Sequence, residues 1–250
     1  MSAGPRAHML RLAATADDLA STAAAELIAL LTTAVSWRGA AHLCLAGGST
    51  PRRLHRALVA SGFGGWPEVH IWFGDERCVP PDHADSNVRM AHDTLIDRVP
   101  INPRHVHRLA GELAPAEAAR QYDEQLRAQA EGLGRDAPLM DALVLGMGDD
   151  GHTASVFPGS PLLVTDHDPG AWCAAVHVPQ LDTWRLTLTP AVLQAAAAVI
   201  VLVSGTGKHV ALSQVLRGAA PVSDLPARLL EEARGDVAWF VDEPALFGAV

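Results

Sequence analysis

Residues 42–51 read HLCLAGGSTP, and this stretch decides the fold. His42 to Ala46 is an apolar run of strand length, Gly47-Gly48 end it, and Pro51 suits the first residue of a helix reaching about Ala60. A strand that passes through glycines directly into a helix is the building unit of a parallel sheet, and the unit recurs. Met140 to Leu145 (MDALVL) again runs into glycines, and Ala198 to Val203 (AVIVLV) leads to a helix from Gly207 to Arg217. Val69 to Gly74 (VHIWFG) precedes a polar loop to Ser86 and a helix from Asn87 to Arg98. Trp172 to Val178, Arg185 to Thr189 and Asp236 to Val241 supply further strands. Helices are expected from a capping box at Thr15 and Asp18 to about Trp37, and from Pro115 to Ala130. The strands are apolar on both faces, which calls for a mostly parallel sheet covered by helices on both sides. The expected class is α/β, as one domain over residues 1–250.

The composition narrows the partners. Hydrophobic residues make up 49% of the 250, enough for a sizeable core. The longest purely apolar stretch, Ala195 to Val203, is far short of the ~20 residues a membrane helix needs. Met1 to Leu12 has no basic segment followed by an apolar one, so a cytosolic, non-membrane protein is expected. Cys44, Cys78 and Cys173 fit neither a disulfide framework nor a zinc pattern. The formal charge of −9 argues against a nucleic-acid binder. An anionic ligand would need a local positive site built from a few Arg or Lys side chains and backbone N–H groups.

Four segments at the expected carboxyl edge of the sheet, where such folds bind ligands, offer that chemistry. In the first, Gly47 and Gly48 let a ligand approach, Ser49 and Thr50 bring hydroxyls, and a helix start supplies free N–H groups. The same letters also suit an ordinary strand-to-helix turn. In the second, Asp75 and Arg77 leave a strand together; Arg77 could clamp phosphate or steady an oxyanion, or the two could pair to order the loop. The third, Gly146 to Ser155 (GMGDDGHTAS), contains GxGxxG. Asp149 and Asp150 would oppose a pyrophosphate, and Pro158 and Pro161 deny the long helix that a dinucleotide motif opens. It reads better as a tight turn holding His152 beside Asp150, an apt general base near neutral pH. The fourth joins Arg185 to Thr189 with Ser204 to Lys208. GTGK lacks the first glycine of a nucleotide P-loop, and His209 replaces its hydroxyl residue, but Arg185 and Lys208 remain cations suited to a phosphate. Neither GxSxG nor HExxH occurs, so a covalent serine route or a zinc-activated water has little support.

Taken in order, AGGSTP (46–51), GDERCVPPDHADSN (74–87), GMGDDGHTASVFPG (146–159), RLTLTP (185–190) and SGTGK (204–208) strongly resemble the 6-phosphogluconolactonase family. The resemblance implies the Rossmann-like sheet shared with glucosamine-6-phosphate deaminases. It also implies cofactor-free, metal-free opening of 6-phospho-D-glucono-1,5-lactone to 6-phosphogluconate. On this reading His152, Asp150, Arg77 and Asp75 are catalytic, with Asp75 orienting a sugar hydroxyl or Arg77. Gly47, Gly48, Ser49, Thr50, Arg185 and Lys208 hold the phosphate. The deaminase pattern differs: it has a Glu five residues after its histidine, where this chain has Phe157, and a tyrosine after Asp-Glu, where this chain has Arg77. A non-catalytic sugar-phosphate-binding regulator on the same fold is the alternative from another class.

Overall fold

A computed structural model describes residues 8–135, 140–164, 168, 170–218 and 220–248; the first seven residues of the Met1–Leu12 stretch lie outside them. In chain order the elements are β1 (His8–Ala13), α1 (Ala16–Arg38), β2 (Ala41–Leu45), α2 (Ser49–Ala60), β3 (Val69–Phe73), β4 (Asp75–Arg77), α3 (Asn87–Thr94) and α4 (Pro115–Gly132). They continue with β5 (Ala142–Gly146), β6 (Cys173–Val178), β7 (Thr183–Leu188), α5 (Pro190–Ala195), β8 (Ala198–Val203), α6 (His209–Arg217), β9 (Asp236–Asp242) and α7 (Glu243–Phe247).

Six strands form a wholly parallel sheet in the order β1-β9-β8-β5-β2-β3, flanked by helices. β2 and β8 are buried at every position, the continuous apolar signature of parallel strands. α1 begins at Thr15, whose side chain accepts from the Asp18 N–H, and ends at Gly39 in the left-handed conformation. Its length and hydropathy would suit a membrane span, but Leu19, Leu27 and Leu31 are fully buried in the core. The chain lays β3 on one side of β2 and then returns to place β5 on the other. The strand order therefore reverses between β2 and β5, and a crevice opens beyond their carboxyl ends.

Several features depart from the pattern expected of the sequence, among them α3, which ends at Thr94 rather than Arg98. β1 is not announced, because HMLRLA mixes polar and apolar residues and sits exposed at the sheet edge. β4, β7 and β6 form a separate three-stranded antiparallel sheet, in which Asp75–Arg77, expected as loop, is a short strand. α2 starts at Ser49 rather than Pro51. Proline is tolerated there because the first four N–H groups of a helix lack intrahelical partners.

Candidate active site

The carboxyl ends of β2, β5 and β8 enclose a cleft of ≈ 260 Å³ that opens into a second of ≈ 530 Å³. Asp75, Arg77, Gly148, His152, Ala154 and Lys208 border both halves. Each expected site residue lies here: Gly47, Gly48, Ser49 and Thr50 line the smaller half, and Asp150 and Arg185 the larger.

The histidine turn is built by close backbone packing. The Gly148 N–H donates to the His152 carbonyl at 2.8 Å, and the Gly151 N–H to the Gly148 carbonyl at 3.1 Å. A Cβ on Gly148 would fall 2.1 Å from His152 Nδ1 and 2.5 Å from Asp150 Oδ1, so only glycine admits the pair. Asp150 Oδ1 sits 2.6 Å from His152 Nδ1 and also accepts the His152 backbone N–H at 3.0 Å. Burial works against this carboxylate, but the hydrogen bonds from His152 outweigh it and hold the pKa below the ordinary aspartate value. An ionised Asp150 places the ring proton on Nδ1 and leaves Nε2 bare as an acceptor. Phe157 stacks on the imidazole, with ring centroids 4.2 Å apart and planes at 30°. Ala154, two residues on, is held at φ 47°, a non-glycine strain of order 1 kcal/mol that the turn imposes beside the base.

Asp75 borders both halves of the cleft. Its carboxylate accepts from Ser155 Oγ at 2.6 Å and from Asn87 Nδ2 at 3.1 Å. It therefore ties the histidine turn to the start of α3. The neighbouring Glu76, 1% exposed, accepts from the N–H groups of Arg77, Asn87 and Val88 and from Ser86 Oγ, at 2.7–2.9 Å. Burial pushes its carboxyl above the usual value despite those bonds. Glu76 is thus a buried anchor for the α3 N-terminus. Asn87 also lies against the Gly47–Thr50 loop: a Cβ on Gly47 would fall 1.8 Å from Asn87 Oδ1. Asn87 and Ser155 stand within the sequence motifs, but the motifs give them no role, because their partners lie far away in sequence.

The cations converge on the same cleft. Arg77 and Arg185 are direct cross-strand partners in the β4–β7 ladder. Arg77 Nη1 donates to the Asp85 carbonyl at 2.6 Å. Burial first, and Arg77 second, lower the Arg185 pKa. Like charges placed opposite each other in a ladder are destabilising until an anion joins them. Across the cleft, Lys208 Nζ meets Asp149 Oδ1 at 2.6 Å, a pairing the sequence does not announce. The loop carrying Lys208 is fixed by Asp242, which takes the Ser204 hydroxyl at 2.5 Å and the Gly205 N–H at 3.0 Å. At the floor, α2 begins without a side-chain cap, after Gly48 at φ 108°, so its first N–H groups have no side-chain acceptor. Among the described residues no cluster of His, Cys, Asp and Glu has metal-binding geometry.

Comparison with known proteins gives consistent relatives. A family model described as "Glucosamine-6-phosphate isomerases/6-phosphogluconolactonase" matches residues 14–239. A 6-phosphogluconolactonase of Nostoc sp. is 35% identical over 222 residues, covering 88% of this chain and 89% of the relative. One of Haemophilus influenzae is 30% identical over 208 residues, covering 82% and 86%. Among solved structures, the 6-phosphogluconolactonase from Trypanosoma cruzi superposes with a TM-score of 0.83 at 25% identity, over 96% of each chain. A monomeric glucosamine-6-phosphate deaminase superposes with a TM-score of 0.77 over 95% of this chain and 98% of its own, and at 21% identity that likeness concerns the fold alone.

Proposed function

The chain belongs to the glucosamine-6-phosphate isomerase/6-phosphogluconolactonase family, and from that premise we propose how it works. It hydrolyses 6-phospho-D-glucono-1,5-lactone to 6-phosphogluconate in the oxidative pentose phosphate pathway, using a histidine-activated water and no covalent intermediate. The observation that carries the mechanism is the 2.6 Å contact between His152 and Asp150 in a cleft that also presents three cations and an open helix start.

A lactone is already electrophilic, so neither an enzyme nucleophile nor a metal is needed. In this scheme Nε2 of His152 takes a proton from water as the oxygen attacks the carbonyl carbon. The imidazolium, steadied by ionised Asp150, then protonates the departing ring oxygen. Each positioned proton transfer typically contributes ~10²–10⁴-fold. The phosphate is held by Lys208, by the N–H groups and hydroxyls of Gly47, Gly48, Ser49 and Thr50, and by Arg185. The cross-strand arginine pair supports assigning Arg77 to the phosphate dianion as well, leaving the carbonyl oxyanion to a backbone N–H of the glycine turns. Such fixing of the phosphate brings the reacting carbonyl to the base.

The isomerase reading is weaker on a specific point. Where that chemistry would need a second carboxylate, this chain stacks the apolar ring of Phe157 against the imidazole. The test is hydrolysis of freshly prepared lactone, with 6-phosphogluconate coupled to its dehydrogenase and the spontaneous rate subtracted. His152→Ala should lower kcat at least 10²-fold with a smaller change in KM. A rate within a few-fold of wild type would remove His152 as the base. Binding of sugar phosphate without any turnover in the wild-type protein would favour the regulator instead.

A further inference from the structure

We infer that Asp149 sets the affinity of the site by occupying Lys208 when the cleft is empty, so that an incoming phosphate must displace a resident carboxylate. This rests on the assignment of Lys208 to the substrate phosphate.

Lys208 is the single lysine of the chain, and its Nζ lies 2.6 Å from Asp149 Oδ1. The two side chains come from different loops, one after β5 and one after β8, and both border the larger half of the cleft. Gly207 makes room for the contact: a Cβ there would approach Asp149 Oδ2 to 3.0 Å. Asp149 and Asp150 are adjacent, yet their work is separate. Asp150 takes two hydrogen bonds from His152. The Asp149 carboxylate has no polar partner other than Lys208 among the described residues. The pair is also exchangeable, because the Asp149 side chain is 70% exposed and the Lys208 side chain 26%. An ion pair this open is easily broken, and a phosphate dianion offers Lys208 more charge than a carboxylate does. The product carries the same phosphate, so the returning Asp149 also helps to expel it. Free inorganic phosphate must meet the same competition, so Asp149 weakens the binding of substrate and of small phosphate anions alike.

A purely structural ion pair between two loops would make its loss harmful. Competition for Lys208 makes the loss of Asp149 beneficial to binding, and the sign separates the two. The experiment compares wild type with Asp149→Asn, Lys208→Gln and the double variant, measuring KM for the lactone and the inhibition constant of inorganic phosphate. An exposed pair of this kind is worth a factor of up to about 5. Asp149→Asn is therefore expected to lower KM and the phosphate inhibition constant by about 3–5-fold each. The gain should shrink at raised ionic strength and largely vanish in the Lys208→Gln background. An unchanged or raised KM in Asp149→Asn, with KM clearly raised in Lys208→Gln, overturns the inference and leaves the phosphate assignment standing. An unchanged KM in Lys208→Gln overturns both.

Discussion

Acidification should weaken this fold well above the range where carboxylates titrate, through histidines that lie outside the cleft. His42, on β2, is 1% exposed and its ring is pushed down to about 3 by burial, then by His70, His107, Arg38 and His105. It stacks on His70 at 4.7 Å, and His70 stacks on His105 at 3.9 Å. His107 lies on Trp72 at 3.9 Å, with its Nε2 3.0 Å from His70 Nδ1. Burial, helped by neighbouring histidines, lowers His70 and His107 to about 4. His55, on α2, is 1% exposed and pushed to about 4 by burial and Arg52. The Asp141 carboxylate beside the cluster accepts the His42 backbone N–H and pairs with Arg38, so it is already engaged.

These values fix the sign. Above the ordinary histidine pKa of 6.5 both states hold the rings neutral, and nothing is lost. As pH falls below 6.5 the unfolded chain binds protons that the fold refuses, and the loss continues until pH passes through the folded values near 4 and 3. Between about pH 7.5 and 5.5 each fully buried ring costs about 1 kcal/mol. His42 and His55 count in full. The partly buried His70 and His107 repel one another and are partly screened by solvent, so together they add roughly one more. The total, about 3 kcal/mol, is a large share of the ~5–15 kcal/mol of a typical domain. Urea unfolding followed by tryptophan fluorescence at the two pH values measures it directly, with the slope m expected to stay constant. His42→Gln should reduce the pH-dependent loss by about a third. A loss under about 1 kcal/mol in the wild type, or an undiminished loss in His42→Gln, would refute the argument.

Three further expectations concern the cleft. Asp150→Asn can present an amide N–H to Nδ1 and so favour the tautomer whose Nε2 carries the proton; kcat should fall about 10²-fold, and steady-state kinetics against pH would reveal it. Phe157→Leu removes the stacked ring but keeps an apolar side chain, so kcat should fall several-fold with KM nearly constant, and Phe157→Tyr should restore it; equal effects of Leu and Tyr would deny the ring a positioning role. Arg185→Ala should move stability and function in opposite directions. Relief of the cross-strand repulsion raises the unfolding free energy by a few tenths of a kcal/mol, while KM for the phosphorylated lactone rises about tenfold. A drop in stability would mean that the contacts Arg185 makes, such as those of its Nη1 with Thr183 Oγ1 and the Trp184 carbonyl, outweigh its repulsion from Arg77.

Local pattern makes part of this molecule legible. β8 is legible because a short apolar run rich in β-branched Val and Ile, leading to the glycines of the next loop, suits a buried strand of the length found. His152 stands out among twelve histidines because glycines and Asp150 surround it within one turn. The features that escape depend on distance in the chain. The β4–β7 ladder needs residues 110 positions apart to meet, and three residues of strand carry no period that could announce it. Yet that ladder makes Arg77 and Arg185 neighbours at the cleft. The Asp75–Ser155 bond joins residues 80 apart. It makes Asp75, beside its place at the cleft, a strut that links the α3 start to the histidine turn. Lys208 illustrates the limit most clearly: its charge and glycine-rich setting are plain from the sequence, whereas its state in the folded protein, paired with Asp149, is not. A sequence names the charges available to a site, but only the fold shows which of them are already engaged, and affinity depends on the displacement of those partners as much as on the charges themselves.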